Sequence, residues 1–138
     1  MDRPLPIPCA HDKEFWEAVS QDRLVVQKTA AGHWQSYPRA HALDDPMTRD
    51  TAPRFEPVAG TGTIETFSVV HRSFYPAIQA PYVFAVVRLD EGVCMTAHIV
   101  DAEPSEVGIG DPVRATFVEI APGQKLPCFK LNKAGSVA

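Results

Sequence analysis

Apolar and polar residues alternate at period two through most of the second half of the chain, and follow helical spacing only once, near its start. Runs rich in Val, Ile, Thr and Phe predict strands over 63–72, 82–90, 93–100, 113–120 and 125–131, the first opened by Gly60-Thr61-Gly62. In YVFAVVRLD, Val83, Ala85, Val87 and Leu89 form one face, yet Tyr82, Phe84 and Val86 make the opposite face apolar as well. Glu91-Gly92 is a hairpin turn into a strand with Val93, Met95, Ala97 and Ile99 inward and Cys94, Thr96 and His98 opposite. Residues 101–112 read as an acidic loop or short helical turn ending in Gly-Asp-Pro. Five short strands divided by turn signals predict a small closed barrel, with an open sandwich as the alternative.

The first half is less regular. Residues 1–10 read as a proline-rich arm and 11–20 as a short helix, with Asp12 as its cap and Glu14 and Glu17 placed where the helix dipole favours acid. Phe15, Trp16 and Val19 share one side; so short a helix needs that side packed on something. Strands follow over 24–28 and 34–37 around a Gly32-His33 turn. Residues 38–57, with Pro38, Pro46, Pro53 and Pro57 and scattered Leu43, Met47 and Phe55, read as an irregular linker with at most one helical turn. The fold class is mainly β, divided into an N-terminal arm, helix and hairpin over 1–57 and a barrel over 58–138.

Composition narrows the function. The 138 residues carry 13 basic and 17 acidic side chains, a formal charge of -4, which argues against a general nucleic-acid binder. A single-strand-binding barrel would need aromatics interleaved with basic residues, and the strands offer mainly Arg72, Arg88 and Arg114. Cys9, Cys94 and Cys128 are scattered and odd in number, as in a reduced cytoplasmic protein. No apolar stretch approaches the roughly 18 residues of a membrane span, and the N-terminus lacks the pattern of a signal peptide. A soluble, cytoplasmic protein that does not engage membrane is expected.

Candidate chemistry is sparse. His33, His41, Asp44 and Asp45 lie in one region but fall short of a four-ligand set, and no cysteines are paired at knuckle spacing, so surface polar residues are the preferred reading over metal. His71 with Asp90 or Asp101, and Ser73 or Cys94, are the raw materials of nucleophilic catalysis without its spacing; no G-x-S-x-G, P-loop or G-x-G-x-x-G occurs. The stretch HRSFYPAIQAPY concentrates three aromatics with His71 and Arg72. It is either a recognition surface or a plug in which Phe74 and Ile78 seal the barrel end.

These segments, taken in order, resemble the OB-fold, acyl-CoA-associated family that carries a rubredoxin-like zinc ribbon in front of its barrel. The resemblance runs from about Phe15 to Leu131 and is carried by FWEAV, LVVQK, GHWQSYPR, GTGTIETFSVVHRSFYP, PYVFAVVRLDEGV, IGDPVRATF and LPCFKL. It implies an N-terminal helix, a ribbon and a C-terminal OB barrel, and a non-catalytic subunit that partners thiolases, hydroxymethylglutaryl-CoA synthases, sterol-carrier-type aldolases or some acyl transferases. A coenzyme A ester would be shared with the partner, in lipid or steroid metabolism. The family's knuckles would fall near 29–32 and 39–50, and neither holds a cysteine, so the ribbon is degenerate and zinc is not expected. Phe15, Trp16, Trp34 and Tyr37 are the expected docking residues; His71, Arg72, Phe74, Tyr75 and Tyr82 are the expected acyl-CoA or interface rim. The alternatives are a stand-alone acyl-CoA hydratase or thioesterase, and a single-strand nucleic-acid-binding barrel.

Overall fold

The computed structural model describes residues 4–44, 47 and 52–132. Helix α1, Lys13–Ser20, buries Ala18 and Val19. Asp12 precedes it but makes no side-chain cap; its Oδ1 instead accepts the Cys9 N–H at 2.6 Å. That amide, first among several hydrogen bonds, holds the Asp12 carboxyl below the usual carboxylate range. The carboxylate has turned back to pin the arm, which corrects the expected cap.

A three-stranded antiparallel sheet follows, in the order β2-β1-β3, with β1 Val25–Lys28, β2 Trp34–Gln35 and β3 Arg54–Pro57. The stretch 38–57 is therefore not wholly irregular: its last four residues pair with β1, Val25 opposite Pro57 and Lys28 opposite Arg54. Prolines bracket this edge strand, and Pro57 stands at its end, where proline is tolerated. The second hairpin strand stops at Gln35, because Tyr37 takes a left-handed φ of 62°.

The barrel comprises β4 Thr61–Val70, β5 Tyr82–Leu89, β6 Cys94–Ile99, β7 Pro112–Ala121 and β8 Gln124–Leu131. It closes in the order β4-β5-β6-β8-β7, with β7 returning to β4; β6 meets β8 in parallel and the other pairs are antiparallel. A single 3-10 turn, Pro104–Glu106, lies in the acidic loop between β6 and β7. Val83, Ala85, Val87 and Leu89 are buried, as their alternation requires, with Ile64, Ile99, Val113 and Phe129 around them. Leu24 and Val26 from the hairpin belong to the same cluster, so hairpin and barrel share a core. Among the described residues no helix is long and apolar enough to cross a membrane.

Candidate functional site

The doubly apolar β5 creates the site. Its inner set fills the barrel, which leaves Tyr82, Phe84 and Val86 on the outside, where β6 lays His98 against them. The Tyr82 and His98 rings stack with centroids 5.0 Å apart and planes 10° apart; Phe84 meets the same imidazole edge-on at 6.0 Å. Phe84 remains 41% exposed.

Phe84, with Met95, Thr96, Ala97 and His98 of β6, forms one wall of a cleft of about 340 Å³, within the usual range for small-molecule sites. Phe15 and Trp16 of α1 form a second wall, their rings perpendicular at 5.1 Å. Tyr37 and Phe55 close it from the hairpin side, and Leu126 and Pro127 of β8 from below. The lining is mainly rings and aliphatic carbon, with Asp12, Thr96 and His98 among its few polar groups. The Tyr37 hydroxyl lies 3.0 Å from Thr96 Oγ1, joining hairpin to barrel beside the cleft.

Of the residues expected to dock a partner, Phe15, Trp16 and Tyr37 meet at this cleft. Trp34 does not: it packs on the core cluster, and Lys28 Nζ sits 4.7 Å from its ring centroid. Of the expected rim, only Tyr82 touches the cleft wall, through His98. His71, Arg72, Phe74 and Tyr75 lie in the exposed β4–β5 connection, which is held by the Ala80 N–H donating to Ser73 Oγ at 2.8 Å. Phe74 is 69% exposed and so does not plug the barrel, whereas Ile78 is half-buried. Sequence reasoning passes over Phe55, Phe84, Thr96 and His98 as site residues, although the two-sided apolarity of β5 is the signal that points to the last three.

The raw materials for catalysis are split between the two ends of β5, with Ser73 and Asp101 on the His71 side. His71 follows the end of β4 that pairs with Tyr82, while Asp90 and Cys94 lie at the other end of β5. Asp90 is engaged by the Thr61 hydroxyl at 2.5 Å. Arg88, one of the basic residues a nucleic-acid reading would use, is paired with Glu65 at 2.5 Å.

The residues at the ribbon's turns do not fit zinc. Thr29, His33 and Asp44 meet there, a hydroxyl, an imidazole and a carboxylate, where a closed site needs four ligands, usually thiolates or imidazoles. Asp45 lies outside the described residues, and His41 takes part through its backbone carbonyl. Among the described residues no three His, Cys, Asp or Glu side chains converge as a metal-binding group.

Fold and sequence together place the chain in a family. Residues 55–118 match the family described as ChsH2, C-terminal OB-fold domain. The solved structure titled Ltp2-ChsH2(DUF35) aldolase superposes with a TM-score of 0.82 at 30% identity, covering 93% of this chain and 99% of that one. The chain belongs to this ChsH2/DUF35 OB-fold family. A probable enoyl-CoA hydratase alpha subunit of Thermomonospora curvata is 34% identical over 131 residues, 93% of this chain and 40% of that protein. A DUF35 domain-containing scaffold protein of Methanocaldococcus jannaschii is 44% identical over 66 residues, 46% of this chain and 45% of that protein. The chain thus spans less than half the length of these curated relatives.

Proposed function

We propose that this chain is a non-catalytic accessory subunit of a cytoplasmic acyl-CoA-processing complex, seated against a thiolase-like or sterol-carrier-type aldolase subunit. It stabilises that partner and helps to hold or channel the acyl-CoA, while the partner performs the chemistry. The observation that carries this reading is the second apolar face of β5. A barrel needs one such face for its core; the other, with the cleft beside it, is surface suited to a partner or ligand. The names of the relatives support it, since one is a scaffold, one an alpha subunit and one belongs to an aldolase assembly.

Turnover assays separate this role from a stand-alone enzyme. The pure chain should neither hydrate nor hydrolyse acyl-CoA esters, and its addition to the partner should raise the partner's activity or its lifetime. Hydration or thioester hydrolysis by the pure chain at an enzyme-like rate would reverse the assignment.

A further inference from the structure

The two turns that a zinc ribbon would join through thiolates are joined here by hydrogen bonds. Thr29 Oγ1 donates to Asp44 Oδ2 at 2.5 Å, and His33 Nδ1 lies 2.8 Å from the same oxygen. Thr29 Oγ1 also accepts the His33 N–H at 3.1 Å, which closes the first turn on itself.

Deeper in the hairpin, Gln27 and Gln35 face each other across the β1–β2 register, only 3% and 6% exposed. Buried amides are costly unless bonded, and here the nitrogen and the oxygen of both amides have partners. Gln35 Nε2 donates to Gln27 Oε1 at 2.9 Å and to the His41 carbonyl at 3.2 Å. Gln27 Nε2 donates to the Arg39 carbonyl at 2.8 Å, and the Arg39 N–H returns a bond to Gln27 Oε1 at 2.9 Å. The Leu43 N–H donates to Gln35 Oε1 at 2.9 Å. Two side chains thus fasten the backbone at positions 39, 41 and 43 to the hairpin.

We infer that the Gln27–Gln35 pair, with the Thr29–Asp44–His33 clip, takes over the structural role of the ribbon's metal, making this a ribbon that folds without metal. Neutral amides are poor zinc ligands, and both amide oxygens are already occupied by N–H donors. A metal would have to break this network and leave buried polar groups unpaired, whereas in the intact network each amide nitrogen and oxygen has a partner. The fastened segment follows directly on Tyr37 and Pro38, which line the cleft, so the amides also fix one wall of the candidate site. The surface would then stand ready without metal supply or reduced thiols.

The test combines metal analysis with amide hydrogen exchange on the full chain. Elemental analysis should find no stoichiometric zinc, and a strong chelator should leave the melting temperature unchanged. In wild type, the Arg39 and Leu43 amides should be protected with or without chelator. Gln35→Leu should raise Leu43 exchange by about tenfold or more while β5 amides stay protected, the scale expected for losing a buried bond. If Gln35→Leu does not fold, the wild-type measurements decide alone. Stoichiometric zinc whose removal lowers the melting temperature, or unprotected Arg39 and Leu43 amides in the folded wild type, would overturn the inference. So would Leu43 exchange unchanged in a folded Gln35→Leu chain.

Discussion

The Tyr37 and Thr96 hydroxyls meet at 3.0 Å across 59 positions of sequence, and tie the N-terminal hairpin to the outer face of the barrel. Tyr37 reaches this point from a left-handed φ of 62°, a conformation that costs a bulky residue about 1–3 kcal/mol and persists only where the surroundings impose it. Tyr37→Phe and Thr96→Val should each lower stability by about 0.5–1.5 kcal/mol, the range for one hydrogen bond. A double-mutant cycle read by urea denaturation should show the two effects coupled; strict additivity would mean that the bond contributes nothing.

Gly62 is required by the closeness of β4 to β5. A methyl group added there would stand 2.3 Å from the Arg88 carbonyl oxygen, a backbone atom that cannot swing aside. Gly62→Ala should therefore destabilise the barrel by about 1–3 kcal/mol, as overpacking does, and lower its melting temperature by several degrees. A variant as stable as wild type would show that the strands can part there at no cost.

Besides Asp12, two carboxylates should give the fold an acid-sensitive component. The Arg88 guanidinium beside Glu65 holds that carboxyl below its ordinary range, and the hydrogen bonds of Thr29 and then His33 do the same for Asp44. With the folded-state value depressed, the contribution is complete above the unfolded-state range and is lost as pH falls through the folded value. The window therefore opens below about pH 4.3 for Glu65 and about pH 3.9 for Asp44. Glu65→Gln and Asp44→Asn should each flatten the decline of the urea midpoint in that window and leave its slope at neutral pH unchanged. Parallel curves for wild type and variants would remove both groups from the account.

Phe15 and Trp16 divide the work of the helix. Phe15 packs on the shared core as well as lining the cleft, while Trp16 lies edge-on to it at the cleft wall. Phe15→Ala should therefore cost stability as well as binding. Trp16→Ala should weaken partner binding by about tenfold or more with the circular dichroism spectrum preserved, as expected for a buried aromatic anchor. Unchanged co-purification by a folded Phe15→Ala/Trp16→Ala chain would remove the docking assignment.

The strand pattern made the barrel legible because alternation maps directly onto inside and outside: Val83, Ala85, Val87 and Leu89 are buried as their spacing requires. The 54–57 strand was not legible, since three residues between prolines, with Pro57, owe their extended form to pairing with β1 rather than to any periodicity. The Asp12 cap misread a carboxylate whose partner lies upstream, at Cys9. The cleft was half visible. Its aromatics could be named from the sequence, but their meeting depends on a hairpin folding back onto β6, and no local pattern encodes that contact. The glutamine pair was invisible for the same reason, because Gln27 and Gln35 become a buried unit only once β1 and β2 align.

Native mass spectrometry of the chain captured with its partners from source cells tests the central claim most directly. The account predicts a stoichiometric hetero-complex with a thiolase-like or aldolase subunit, and no zinc in the mass assigned to this chain. A chain recovered alone or only with copies of itself, and turning over acyl-CoA esters in that state, would contradict it.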